Sequence, residues 1–194
     1  LVKADLRTSM LIKRQAAAVQ HPDAGEDLCA HVPSDHIAEP NTIVAGYIPF
    51  KSEIDPRPLM RLLKAKGANL CLPRTPAKGH PHQELTFHLC DPDDPDQLEK
   101  SAWGVMEPMA IRPQVRPDLV LVPLLAFDRA GNRLGQGQGH YDRTLAALRA
   151  SGPVIAVGIA FSVQEVEHIP AEPHDQRLDW IITEIEAYPI PSCE

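Results

Sequence analysis

Short apolar runs bounded by proline, glycine or charge recur along the chain, and their lengths and periods sort them into strands and helices. Thr42-Ile43-Val44-Ala45-Gly46-Tyr47-Ile48 lies between Pro40 and Pro49; it is short and β-branched, which predicts a buried strand. Asn69-Leu70-Cys71-Leu72-Pro73, Asp118 to Pro123, Pro153 to Ala160 and Trp180-Ile181-Ile182-Thr183 are runs of the same kind, the last of them closing the series. Such continuous apolarity belongs to strands covered on both faces. Glu84 to Leu89 instead alternates polar and apolar residues, the pattern of a half-solvated or edge strand.

Helical spacing appears between these runs. Over residues 2–20, Leu6 and Met10 stand four apart ahead of an alanine-rich stretch, and Lys3, Arg7 and Arg14 mark the polar face. Pro56 and Pro58 open a second helix, with Leu59, Leu62 and Leu63 as its apolar stripe and Gly67 as its stop. A third runs from Tyr141 to Arg149. Residues 21–41 carry no clean period, and a short helix over 28–38 is the expectation there. Strands alternating with helices define the class as α/β with a mostly parallel sheet, in which ligands sit outside the carboxyl ends of the strands. With neither a repeat nor a linker, residues 1–194 read as a single domain.

Composition narrows the class. The 20 prolines are dispersed, so they punctuate elements instead of forming a linker. No run approaches the ~20 apolar residues of a spanning helix, and the start, Leu1 to Arg7, is too charged for a signal peptide. A cytoplasmic protein is therefore expected, with a few native residues ahead of Leu1 because the chain does not begin with Met. Cys29, Cys71, Cys90 and Cys193 form no CxxC pair and read as buried reduced thiols. A net charge of −7 argues against nucleic acid, which needs a basic face.

Candidate chemistry concentrates in Ala126 to Arg143, where Gly135, Gly137 and Gly139 lie between a buried strand and a helix start. Glycine permits close backbone approach, and the first helical amides attract anions, so the segment is a candidate phosphate cradle. A flexible turn with left-handed glycines is the equal alternative. The spacing is neither the dinucleotide pattern nor a P-loop.

Read as a whole, the segment resembles the signature of the 5-formyltetrahydrofolate cyclo-ligase family. The residues that carry it are Pro123, Ala126-Phe127-Asp128, Gly131, Arg133-Leu134-Gly135, Gly137, Gly139 and Tyr141-Asp142. Further landmarks keep the family order: Lys3 and Arg7, Tyr47, Glu53-Ile54-Asp55, Leu72-Pro73, Glu107-Pro108, Gln164, Pro170 through His174-Asp175, and Thr183-Glu184. The resemblance implies a three-layer α/β/α sandwich of the CoA-transferase-like kind. It also implies conversion of 5-formyltetrahydrofolate and ATP to 5,10-methenyltetrahydrofolate, ADP and phosphate with Mg²⁺. In that reaction the formyl oxygen attacks the γ-phosphate and N10 then closes the ring.

By the same resemblance, Arg133, Lys3 and Tyr141 carry catalysis. ATP falls to Lys3, Arg7 and the run Arg133, Leu134, Gly135, Gln136, Gly137, Gln138, Gly139, His140 and Tyr141. The folate falls to Phe50, Glu53, Asp55, Gln136, Gly137, Gln138, Gly139 and His140, and Mg²⁺ to Asp142 and Asp175. Blander readings stand beside these: a solvated helix face for Lys3 and Arg7, a helix-start charge for Asp142, a surface acid for Glu53. His140 replaces the family's Tyr or Phe and is expected to be an aromatic platform that neighbouring phosphate holds in its charged form. His80 and His82 resemble a metal arm but favour a solvated turn, and His174 is ambiguous. A ligase for another formylated substrate, and a folate- or nucleotide-binding relative without turnover, stay open. The expected partner is a small-molecule substrate, with no nucleic acid, no membrane, and a monomer or weak homodimer.

Overall fold

The computed structural model describes residues 3–33, 39–77 and 83–191. Among the described residues the α-helices are α1 (Lys3–Gln20), α2 (Ala24–His31), α3 (Arg57–Ala65) and α4 (His140–Ser151). The strands are β1 (Ile43–Ala45), β2 (Asn69–Arg74), β3 (Thr86–Leu89), β4 (Leu98–Lys100), β5 (Met106–Pro108), β6 (Gln114–Val115), β7 (Leu119–Pro123), β8 (Ala126–Phe127), β9 (Arg133–Leu134), β10 (Ile155–Ile159), β11 (Trp180–Ile182) and β12 (Ala187–Pro189). An eight-stranded sheet runs in the order β12-β11-β10-β7-β1-β2-β3-β6, and β4–β5 and β8–β9 form separate two-stranded ribbons. From β11 to β2 neighbouring strands are parallel; β12, β3 and β6 add antiparallel edges.

Alternation along the central strands divides the core in two. Leu119 and Leu121 of β7 join Leu59 and Leu63 of α3, Leu28 of α2 and Ala17 of α1 on one side. Val120 and Val122 join Leu145 of α4, Leu178 and Ile181 on the other. Both faces of the sheet are thus covered, as the apolar runs require. No helix among the described residues is long and apolar enough to cross a membrane. Burial pushes the Cys71 thiol well up, and it lifts Cys90 to about 11, so both stay protonated and inert.

The departures from expectation have local causes. The helix placed at 28–38 starts earlier, at Ala24, and stops at His31; Val32 is extended (φ −61°, ψ 120°) because Pro33 disfavours helical geometry in the residue before it. Residues 34–38 of that expected helix, and His80, His82 and Cys193, lie outside the described residues. The strand at 42–48 ends at Ala45, though Gly46 still donates to Cys71 O at 3.0 Å. Trp180–Ile182 is not the last strand. The chain reverses through Thr183, whose N–H donates to Glu186 O at 2.8 Å, and β12 forms the true edge, where Pro189 is tolerated. Half-solvated β3 is flanked on its outer side only by two-residue β6.

Candidate active site

The signature segment is a hairpin, a loop and a helix start in succession. Asp128, 1% exposed, organises the hairpin: its carboxylate accepts from the amides of Ala130 (3.1 Å), Asn132 (3.0 Å) and Ile169 (2.9 Å) and from the Asn132 side chain (3.0 Å). Beyond β9 the backbone takes left-handed turns at Gly137 (φ 94°) and Gly139 (φ 66°), conformations that glycine adopts without strain. Gly139 caps α4 without offering a side chain, and a Cβ at Gly135 would meet only open space. These glycines keep the backbone amides bare and approachable.

Cations converge on that loop from α1 and β9. Arg7 donates from Nε to Gly135 O at 3.0 Å, and its guanidinium lies 3.5 Å from where a Gly137 Cβ would stand. Lys3 Nζ donates to Glu172 Oε2 (2.6 Å) and Asp175 Oδ2 (2.9 Å). Arg133, its side chain 5% exposed, donates to Asp142 Oδ1 at 2.6 Å and to Gln176 O. Asp142 Oδ1 also accepts the Gln176 amide at 3.0 Å, so Arg133 and Asp142 tie β9 and the start of α4 to the 172–176 segment, and Lys3 ties α1 to it. Burial works against the Arg133 charge and leads its downward pKa shift, with Asp142 opposing. For Lys3, burial is outweighed by the two carboxylates, which raise its pKa.

A second lobe continues from the first within one cavity of about 440 Å³. Tyr47 donates to Ile54 O at 2.9 Å, bending the chain after β1 so that Phe50 and Glu53 face the cavity. Glu53 Oε2 accepts the Phe50 amide at 2.9 Å. Its pKa is raised, first by burial and against the Phe50 amide and Arg14. Ile48, Leu72, Leu85, Leu124, Trp103 and Met106 supply the apolar wall. Glu107 closes one end, accepting from Thr75 N (3.0 Å) and Oγ1 (2.9 Å). Burial also pushes the Tyr141 phenol up, which keeps it a neutral donor on the wall between the lobes.

Of the residues singled out by sequence, Lys3, Arg7, Phe50, Glu53, Asp142, Asp175 and the whole run Arg133 to Tyr141 line this cavity. Asp55 does not. Its carboxylate grips Arg57 (2.7 Å) and fixes the start of α3, at a separate depression beside α2. His140 lines the cavity, and its pKa lies below the ordinary imidazole value; burial is the main cause, followed by Arg143, whose Nη2 is 3.3 Å from Nδ1. Arg14, Glu107, Trp103 and Glu172 are wall residues to which sequence gave no role. Arg14 carried a signal, since it falls two turns beyond Arg7 on the same helical face.

A Mg²⁺ ion takes oxygen donors, commonly one or two carboxylates completed by water and phosphate. Glu172, His174 and Asp175 bring ligand atoms within 4.8 Å of one another, with Lys3 bonded to both carboxylates. Asp175 Oδ2 is engaged there by Lys3 and by the Glu172 amide at 2.8 Å. Asp142 lines the same cavity, with Oδ1 already engaged by Arg133 and the Gln176 amide.

Fold and site together define an α/β protein whose cleft, at the carboxyl ends of its parallel strands, joins a glycine loop flanked by Lys3, Arg7 and Arg133 to a partly apolar pocket. The sequence profile of the 5-formyltetrahydrofolate cyclo-ligase family matches residues 2–184, and the chain belongs to that family. It is 32% identical to the 5-formyltetrahydrofolate cyclo-ligase of Haemophilus influenzae over 170 residues, covering 84% of this chain and 87% of that one. The Mycolicibacterium smegmatis cyclo-ligase is 32% identical over 198 residues, 93% of each chain. The solved 5,10-methenyltetrahydrofolate synthetase of Aquifex aeolicus superposes with a TM-score of 0.76 at 28% identity, covering all of this chain and 95% of that one.

Proposed function

We propose that the chain, as one domain over residues 1–194, converts 5-formyltetrahydrofolate and ATP to 5,10-methenyltetrahydrofolate, ADP and phosphate. The observation that carries this reading is the single cavity that joins the Lys3, Arg7, Arg133 and glycine-loop lobe to the Tyr47, Phe50 and Glu53 lobe. A triphosphate in the first lobe would meet Lys3, Arg7, Arg133 and the amides of the loop, while a flat, partly apolar ring would fill the second. Phosphoryl transfer of this kind relies on positioning and charge neutralisation more than on a protein nucleophile.

Within that scheme Lys3 and Arg133 stabilise charge on the transferred phosphoryl group, Arg7 fixes the loop, and Tyr141 donates at the junction of the lobes. Leu134, only 2% exposed, anchors the loop in the core. Phe50 and Glu53 hold the pterin, and Gln136, Gln138 and His140 orient both substrates. Mg²⁺, held by Asp175 and Asp142, would offset the charge of the phosphates when bound. A cytoplasmic enzyme acting as a monomer or weak homodimer, without nucleic acid or membrane partners, completes the reading. Purified protein mixed with Mg-ATP and 5-formyltetrahydrofolate should generate the methenyl chromophore, and generate none when ATP is withheld. A folded protein that yields no chromophore would leave a binding relative without turnover as the better reading.

A further inference from the structure

Lys3 is already engaged in the glycine-loop lobe. An ammonium has three N–H donors, and on Lys3 two are taken, by Glu172 Oε2 at 2.6 Å and Asp175 Oδ2 at 2.9 Å. All three residues line the cavity. A polyphosphate entering the lobe therefore competes with carboxylates for Lys3, and it meets their negative charge as well.

The two carboxylates differ in what else they do. Asp175 builds the turn that carries both: its Oδ2 accepts the Glu172 amide at 2.8 Å, and its own amide donates to Glu172 O at 2.9 Å. The Glu172 carboxylate takes no part in those two bonds. Its side chain is 56% exposed, with Lys3 as its close charged partner and the His174 ring 3.9 Å away. Water can solvate it when Lys3 leaves, so the pair is weak and exchangeable. Arg133 is the contrast. Its side chain is 5% exposed and bonded to Asp142 (2.6 Å) and Gln176 O, and pulling it away would strand a buried charge. Of these two cations, Lys3 on its flexible four-carbon stem is the one that can change partner.

We propose that Glu172 is a positioning residue that acts through Lys3: in the free protein its carboxylate holds the ammonium against the 172–175 turn, and a bound polyphosphate takes the ammonium from it. The proposal rests on the ATP reading above and deepens it. Glu172 thereby lowers the affinity of the lobe for polyphosphate. Neutralising it improves binding, the reverse of what the loss of a ligand contact does.

Calorimetric titration of the whole protein with tripolyphosphate in excess chelator tests this with no metal ion on the carboxylates. Glu172→Gln keeps the side-chain length and leaves the turn intact. It should bind tripolyphosphate about two- to fivefold tighter than the parent, the worth of one exposed ion pair. Glu172→Ala should repeat the gain. With Lys3→Met already in place, Glu172→Gln should change the affinity less than it does in the parent, because Glu172 then has no ammonium to hold. Unchanged or weaker binding in the Gln and Ala variants would overturn the proposal, and so would a gain of equal size without Lys3, which is plain charge repulsion. A parent and a Glu172→Gln variant that both ignore tripolyphosphate overturn it too. Failure of the ATP reading looks different: Mg-ATP would also go unbound, and no methenyl product would form.

Discussion

His140 shows how one side chain combines site and stability. Burial and Arg143 depress its folded pKa below the ~6.5 of an unperturbed imidazole, so as pH falls the unfolded chain takes up that proton first. The residue therefore contributes nothing above about pH 7 and destabilises progressively as pH drops through ~6.5 and the lower folded value. His140→Phe should gain stability relative to the parent at pH 5 but not at pH 8 in urea melts, and it should keep most turnover because the ring is retained. His140→Ala should weaken folate binding. A variant whose advantage is the same at both pH values would remove the titration from the account. Sequence exposed the swap but not the direction of the shift, because Arg143 is a neighbour one turn along the helix and burial is a property of the fold. Other signature residues proved architectural. Asp128 ties a hairpin, Gln164 donates to Leu124 O and Leu125 O (2.8 and 3.1 Å), and Glu184 accepts from Ser162 N and Oγ (2.8 and 2.5 Å). A motif in a linear string does not separate residues that touch a ligand from those that shape the loop around it.

At the scale of elements, α1 reaches from the Tyr47, Phe50 and Glu53 lobe to the glycine-loop lobe. Arg14 meets Leu124 near its middle, Arg7 meets Gly135 a turn or two earlier, and Lys3 meets Glu172 and Asp175 at its start. The seven-residue spacing from Arg7 to Arg14 keeps both on one face, which is why a helical reading of residues 2–20 already gathered these cations. What it could not supply was the partner surface, more than a hundred residues away. Lys3→Ala and Arg7→Ala should each lower ATP affinity by roughly 10- to 150-fold, the worth of one charged hydrogen bond of ~1.5–3 kcal/mol. Calorimetric titration with Mg-ATP checks this, and an unchanged affinity would return that residue to the solvated face. Gly139→Ala is a backbone test of the same junction. At φ 66° an alanine is strained by ~1–2 kcal/mol, while the Arg143 Nη1 atom 2.8 Å from its Cβ is the end of a flexible side chain and can yield. The expected result is a modest loss of stability with a larger loss of ATP binding.

For the whole molecule, the parallel sheet was legible because its strands are continuous apolar runs, whereas β6, β8, β9 and β12 are two- or three-residue elements with too little pattern to register. The closure of the cavity was equally hidden, since it depends on segments from both ends of the chain meeting at the Lys3, Glu172 and Asp175 cluster. That closure has its own pH window. For Asp175 burial opposes the charge, but Lys3 and the Glu172 amide outweigh it and hold the carboxyl below the usual range. Its contribution is fully present above the unfolded value of ~3.9 and is lost as pH falls through the depressed folded value. Lys3, raised, contributes below ~10.4 and loses that contribution as pH climbs through its folded value. Between those limits Lys3 and Asp175 both keep their charges. With both side chains about a fifth exposed, the pair is worth at most ~1 kcal/mol, so the readout must be local and not the global melt. Amide exchange at the first turn of α1 should stay protected from about pH 5 to 9 after correction for intrinsic exchange, and protection should fall below about pH 4. In Lys3→Met the protection should be lower throughout that plateau and show no acid step. An acid step of the same size in that variant would mean that other carboxylates hold α1 down, and the cluster would lose its place as the latch of the cavity.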